Sequence, residues 1–315
     1  MNKQKITVLM STFNGEKYIE KQIESILEQK DVQISLVIRD DESSDSTVSI
    51  IEEYEKKYSN ISLIRGKNLG ARKSFRQLVL DAPDDDYYAF ADQDDIWYAN
   101  KLIMGISCIQ ECSNPALYYC NQNCVDELGN FQYRRFGEKN IQPDFSYTLF
   151  RNNYAGCTMV FNKKLMQAVQ KAYRQAAENI DSIHDGWVLM IAQLIGETYY
   201  DADAYMDFRR HGNNYSEAQL YSEMKIAGKL KLFIHKIDTF KKTLHKKGNT
   251  IRECIVLRDC FKDIINKEDL EYLEHVIHYN DNIGTRLEFL LSKEIRKSIP
   301  EPKLSVYLKI LIGKL

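Results

Sequence analysis

A chain of 315 residues, 44% hydrophobic and 28% charged, has the composition of a globular protein and the length for one large domain or one domain with an appendage. A formal net charge of -2 gives no overall pull toward nucleic acid or an anionic surface. Seven cysteines, an odd number widely scattered, argue against a disulfide framework, and no stretch approaches the ~20 apolar residues of a membrane span.

KITVLMSTFN (5–14) has a basic start, but its apolar run is too short for a signal-peptide core and alternates like a strand, so a cytoplasmic protein is expected. GEKYIEKQIESILEQ (15–29) predicts an amphipathic helix with Ile19, Ile23, Ile26 and Leu27 inward. ISLVIRDDESSDSTVSIIEEYEKKY (34–58) repeats the pattern of strand, acidic loop and helix, with Asp45 or Ser46 as the cap. ISLIRG (61–66) is a short strand, NLGARKSFRQLVLDA (68–82) a loop entering a third helix, and YYAFAD (87–92) a fourth strand. This alternation implies a parallel sheet with helices on both faces, and ligands bind such sheets outside the carboxyl ends of the strands. The loops STFN, RDDESSD and ADQDD should therefore converge on one crevice.

Beyond Ser107 the pattern loosens. ALYYCNQNCVDELGNF (116–131) looks like a strand pair turning near Glu127–Gly129, and YAGCTMVFNKKLM (154–166) like a strand and then a helix. DSIHDGWVLMIAQLIG (181–196) is a helix with a polar entry, and ETYYDADAYMDFRRHGNNYS (197–216) a strand or two ending in a basic loop. Cys108, Cys112, Cys120 and Cys124 have spacings near those of zinc sites; one helix face and one strand end account for them without metal, the favoured reading. From about Ser216 the chain reads as helical and lysine-rich. The stretch 225–247 fits either a helical subdomain with solvated lysines or a surface for membrane or partner docking, and the apolar tail LSVYLKILIGKL favours docking slightly.

Chemistry concentrates at FADQDDIW, where Asp92, Asp94 and Asp95 occupy three of four positions after an apolar strand. Carboxylates this close repel and resist desolvation, so either open water or a cation is called for. Mg²⁺ and Mn²⁺ take one or two carboxylates plus substrate phosphates. Asp40 and Asp41 add charge at a second strand end, and KNLGARKSF (67–75) brings a glycine, amides and basic side chains suited to phosphate or ribose. HDGW (184–187) puts an aspartate at a helix entrance, which either caps the helix or accepts a proton from an acceptor hydroxyl, with Trp187 as a face for a sugar ring. RRHGNN (209–214) offers arginines suited to pyrophosphate and an imidazole suited to Mn²⁺, or is an ordinary basic surface loop.

In this order, STFNG, VIRDDESSDST, KNLG, FADQDDIW with its following KL, HDGW and YMDFRRHGNN resemble the family 2 glycosyltransferases, over residues 5 to about 216. FADQDDIW, NYAGCTMVFN, HDGW and RRHGNN resemble its rhamnosyltransferase-like branch. The resemblance implies a GT-A fold with a mainly parallel central sheet, a catalytic domain over 1–215 and a helical C-terminal subdomain over 216–315. It implies a metal-dependent inverting transfer, with Mn²⁺ or Mg²⁺, of rhamnose or another hexose from a dTDP- or UDP-sugar. The acceptor would be a lipid-linked or growing bacterial surface polysaccharide, reached on the inner face of the membrane.

The same resemblance implies roles for individual residues. Ser11 and Phe13 line the nucleotide pocket, Asp41 bonds the base, and Asn68 and Gly70 lie near the nucleotide. Asp92 meets the ribose or the metal shell, Asp94 ligates the metal, His211 completes its shell, and Arg209 or Arg210 points to the pyrophosphate. Asp185 is the base. Trp187 and Asp95 face the acceptor, or Asp95 caps a helix opening at Ile96–Trp97. Where the family commonly has Glu-Asp, this chain has His184-Asp185, which leaves His184 without an assigned role. A nucleotidyltransferase with a similar carboxylate–metal site, and a non-catalytic nucleotide-sugar-binding protein, are the alternatives.

Overall fold

The computed structural model describes residues 3–136, 143–150, 154–176, 180, 183–211, 249–292 and 304–313. Strand β1 (Gln4–Thr12) lies between β2 (Val32–Asp40) and β4 (Tyr87–Ala91), and β3 (Ile61–Arg65) flanks β2, all parallel. Such strands are covered on both faces and so carry apolar residues of both parities. In β1, Ile6, Val8 and Met10 join one core and Leu9 the other, all fully buried. The first core lies under α1 (Ile19–Leu27), α2 (Thr47–Lys57) and α4 (Lys101–Ile109), which contribute Ile19, Ile23, Ile26, Ile51, Leu102 and Ile106. The second lies under α3 (Ala71–Leu80), α6 (Lys163–Ala176) and α7 (His184–Ile195), with Phe75, Leu165, Trp187 and Val188.

Past β4 the sheet becomes mixed. The order β3-β2-β1-β4-β8-β6-β9-β5 places the antiparallel β8 (Met159–Asn162) between β4 and β6 (Ala116–Val125), after which β6 and β9 (Glu197–Arg209) run parallel. β7 (Phe131–Arg134) returns antiparallel to β6 across the turn expected near Glu127–Gly129. Ile96–Trp97 is not a helix start, as Asp95 in a capping role would need. It is a two-residue strand, β5, antiparallel to Asp207 and Met206 of β9, and α4 begins four residues later at Lys101.

The short helix α5 (Phe145–Phe150) packs against α7. α8 (Thr250–Phe261), α9 (Lys267–His278), α10 (Ile283–Leu291) and α11 (Leu304–Leu311) lie toward the C-terminus. Asn266 caps α9 by accepting from Asp269 N at 2.9 Å, and Asn282 forms a capping box with Thr285 on α10. Cys254, Leu257, Phe261, Leu273 and Val276 belong to the same core as α6 and α7, and Lys171 Nζ donates to Cys260 O at 2.7 Å. The basic stretch 225–247 and Gly212, Asn213 and Asn214 lie outside the described residues. Among the described residues no helix is long and apolar enough to cross a membrane.

Candidate active site

The carboxyl ends of β1, β2 and β4 meet the start of α7 around one cleft of about 520 Å³. Ser11, Phe13, Asp41, Asn68, Gly70, Asp92, Asp94 and Asp185 all line it. The convergence follows from the parallel register, because Ser11 sits level with Arg39 and Met10 with Ala91, so the three loops leave the sheet together.

At one end of the cleft Phe13 is half exposed (46%). Its backbone is held by Gln93, whose Oε1 accepts from Phe13 N at 2.9 Å and whose Nε2 donates to Phe13 O at 3.0 Å. A Cβ on Gly15 would lie 2.3 Å from Gln93 Oε1, so a larger residue there would displace the Gln93 amide from Phe13. Asp41 is buried and accepts from Arg39 NH1 at 2.5 Å, Leu69 N at 2.9 Å and Gly70 N at 2.8 Å. Arg39, itself 4% exposed, also donates to Ser74 Oγ and Lys67 O. The arginine therefore ties the end of β2 to the loop before α3. Gly70 has φ 78°, a conformation that favours glycine, and this aims its N–H at Asp41. Asp45 supports the entry to α2 by accepting from Thr47 N at 3.0 Å, in line with its expected role at that helix start.

At the centre the three acidic residues part company. Asp94 Oδ2 lies 2.7 Å from His211 Nε2, and the imidazole stacks on Tyr18 with centroids 4.9 Å apart. Asp92 faces the cleft, and burial together with the neighbouring Asp94 carboxylate pushes its pKa up to about 7. Asp95 is 1% exposed, with Oδ1 accepting from Arg209 N at 3.2 Å and Oδ2 without a partner among the described residues. Its pKa is raised well above the usual carboxylate range, first by burial and then by Asp94 and Asp92. An oxygen–nitrogen pair at Asp94 and His211, beside two carboxylates whose pKa values burial and the Asp94 charge push up, is a donor set that fits a hard divalent cation.

Four expected roles are corrected by the packing. Asp95 turns into the protein and cannot meet an acceptor. Trp187 is fully buried against Tyr173, at 6.0 Å between centroids, so it offers no face to a sugar; besides Phe13, the rings of Phe75, Tyr154 and Phe208 line the cleft. The Arg209 guanidinium donates to the carbonyls of Asp94 (3.2 Å) and Glu127 (2.9 Å), which makes it a brace between loops rather than a pyrophosphate ligand. Arg210 lies 6.0 Å over the Tyr133 ring and does not line the cleft, whereas Arg72 and Arg135 do. The four cysteines also separate. Cys112 bonds Tyr199 Oη, Cys120 contacts Thr158 O, Cys108 is exposed, and Cys124 on β6 pairs with Tyr133 of β7.

Asp185 stands in the first turn of α7 and lines the cleft; its Oδ1 accepts from Gly186 N at 2.6 Å. Beside it His184 is 8% exposed, stacked on Phe75 at 3.8 Å and edge-on to Phe90 at 4.8 Å. Burial lowers its pKa to about 3, so the ring is neutral. Its Nε2 has no partner among the described residues and lies where a Cβ on Gly156 would come within 2.4 Å. Arg39 and Gln93 carry parts of this site that motif reading passed over. Only Arg39 left a signal, as a charge inside the apolar run LVIRD.

Residues 7–169 match the Glycosyl transferase family 2 model. The chain belongs to glycosyl transferase family 2. This glycosyltransferase is 36% identical over 231 residues to the dTDP-rhamnosyl transferase RfbG of Shigella flexneri, covering 69% of this chain and 76% of RfbG. It is 31% identical over 167 residues to the Escherichia coli UDP-Glc:alpha-D-GlcNAc-diphosphoundecaprenol beta-1,3-glucosyltransferase WfgD, covering 51% of this chain and 61% of that one. In fold it is similar to the crystal structure of S. aureus TarS 1-349, with a TM-score of 0.53 over 98% of this chain and 80% of that one at 16% identity. The fold is thus GT-A, and membership of the family sets aside the nucleotidyltransferase and simple binding readings.

Proposed function

We propose that this glycosyltransferase moves a hexosyl group, with rhamnose the leading candidate, from a dTDP- or UDP-sugar to a hydroxyl of a lipid-linked or growing surface polysaccharide, with inversion. The observation that carries the reading is that Asp185 faces the same cleft as Asp92, Asp94 and the Asp41–Gly70 end. The similarity to RfbG, whose name specifies a dTDP-rhamnosyl donor, supports the choice of sugar.

In this reading the nucleoside sits at the Phe13 end, where Asp41, held by Arg39 and two amides, is a fixed acceptor for the base. Arg72 and Arg135 border the path of the diphosphate. A bound Mn²⁺ or Mg²⁺, held by Asp94 and His211 with Asp92 beside them, would supply Lewis-acid neutralisation of the leaving diphosphate. Phe75, Tyr154 and Ile183 provide apolar wall for the sugar, which suits a deoxyhexose methyl group. Asp185 takes the proton from the acceptor hydroxyl as the new glycosidic bond forms on the opposite face of the anomeric carbon. Retention would need a second carboxylate as nucleophile. Asp41 is bound to Arg39 and two amides, and Asp94 is paired with His211.

The test is release of nucleoside diphosphate from a panel of dTDP- and UDP-sugars with and without Mn²⁺, for the natural chain and Asp185→Asn. The variant should bind donor normally and lose roughly 10²–10⁴-fold in transfer. A fully active Asp185→Asn would remove the assigned base. No metal-dependent binding of any donor would sink the whole reading.

A further inference from the structure

Behind Asp94 and His211 lies a second group of ligand atoms with different chemistry. One carboxylate oxygen each of Asp92 and Asp95 and the thiol of Cys157 all lie within 4.8 Å of one another. Asp95 and Cys157 are each 1% exposed, and Asp92, only partly buried, is the member that opens to the cleft. Asp95 Oδ2 is a fully buried carboxylate oxygen with no nitrogen or oxygen donor among the described residues; the Cys157 thiol is the weak donor beside Asp95, so the ionised carboxylate is costly unless something positive meets it.

The thiol is held on a rigid element. Cys157 is the middle residue of a 3-10 turn, Gly156–Thr158, closed by Thr158 N and Thr158 Oγ1 both donating to Ala155 O, at 3.0 and 2.7 Å. On the other side Arg209 N donates to Asp95 Oδ1 and fixes that carboxylate. Lys101 approaches the same group from α4, but its Nζ lies 3.7 Å over the Trp97 ring and has no hydrogen-bond partner among the described residues. Burial lowers its pKa, against the pull of Cys120, Cys157 and Asp95.

We infer that Asp92, Asp95 and Cys157 form an inner cation position that takes a thiophilic divalent ion such as Zn²⁺ or Co²⁺, one carboxylate deeper than the oxygen–nitrogen pair of Asp94 and His211. The selectivity follows from ligand softness: thiolate favours zinc and cobalt, whereas carboxylate and imidazole suit Mn²⁺ and Mg²⁺. On binding, the S–H bond breaks, the sulfur lone pair forms the metal–sulfur bond, and the proton leaves to buffer with no change of oxidation state. Asp92 is shared, so an ion in the inner position withdraws it from the outer one and should depress Mn²⁺-supported transfer. That consequence alone rests on the functional reading above.

The experiment is a Co²⁺ titration of the metal-free full chain without sugar nucleotide, read by the sulfur-to-cobalt charge-transfer band in the near ultraviolet. A band saturating at one equivalent is expected, abolished in Cys157→Ser and Cys157→Ala, retained in Asp94→Asn, and shifted at least about tenfold in midpoint by Asp95→Asn. No band in the natural chain overturns the inference without recourse to any variant. A band of full intensity in Cys157→Ser places cobalt on another cysteine and overturns it equally. A band lost in Asp94→Asn makes the two positions one and overturns it too. A chain that shows the band but, once freed of cobalt and supplied with Mn²⁺, transfers no sugar from any donor of the panel keeps the inner position and refutes the function, so the two failures are distinguishable.

Discussion

Replacing His184 by phenylalanine should flatten the acid side of the stability profile. The imidazole lies between Phe75 and Phe90, its Nε2 has no partner among the described residues, and burial takes its pKa from 6.5 to about 3. A base whose pKa is lowered by folding is protonated first in the unfolded chain. Stability is therefore intact above pH 6.5 and lost as pH falls from 6.5 toward 3. Between those limits the slope is about 1.4 kcal/mol per pH unit, so this one ring should cost about 2 kcal/mol at pH 5 and almost nothing at pH 8. Asp92 works in the opposite direction. Its folded pKa of about 7 lies above the unfolded 3.8, so the stability of its protonated form is lost as pH rises through 7. That contribution is common to both proteins and cancels in their difference. The assay is urea unfolding of the natural chain and His184→Phe in metal-free buffer at pH 8, 6 and 5. The free-energy difference should move in favour of the variant by about 2 kcal/mol from pH 8 to pH 5. A difference constant to within about 0.5 kcal/mol across that range would show that folding does not keep His184 neutral.

Arg39→Met strips Asp41 of its cation inside the protein and leaves it two amides. A loss of about 3 kcal/mol is expected, or about 6 °C in thermal midpoint, and Asp41→Asn in the same chain should restore most of it. Trp187→Ala empties a core site and should cost about 3–5 kcal/mol by denaturant unfolding, while Trp187→Phe should leave the acceptor KM unchanged because the ring never meets a sugar. Arg72→Met should weaken nucleoside diphosphate binding by roughly tenfold or more in calorimetry, and Arg210→Met, away from the cleft, should leave it within about twofold. Ile283, Leu287 and Leu291 are exposed by 73%, 47% and 63% along one face of α10, near the exposed Leu311. The proposed lipid-linked acceptor calls for contact with a membrane surface, so Leu287→Glu with Leu291→Glu should reduce co-sedimentation with anionic vesicles, and unchanged sedimentation would remove that contact.

Local order was legible in this chain wherever backbone geometry alone dictates it. Apolar runs such as ITVLM and YYAFA became β1 and β4, the 3.6-residue spacing of Ile19, Ile23 and Ile26 became the buried face of α1, and parallel strands had to bring STFN, RDDESSD and ADQDD to one edge. The order of the motifs pointed to the family for the same reason, since each motif is a strand end followed by its loop. The direction in which each side chain of those loops faces was a different matter. Asp92, Asp94 and Asp95 read alike along the chain, yet one faces the cleft, one pairs with His211 across 117 positions and one turns inward to Arg209 across 114. Arg209 looked like a phosphate ligand until the carbonyl of Asp94 lay within reach of its guanidinium. Trp187 looked like a sugar platform until α6 covered it with Tyr173. Periodicity is carried by neighbours three or four residues apart, whereas the fate of a charged or aromatic side chain is decided by whichever distant backbone group or apolar surface the packed sheet brings against it.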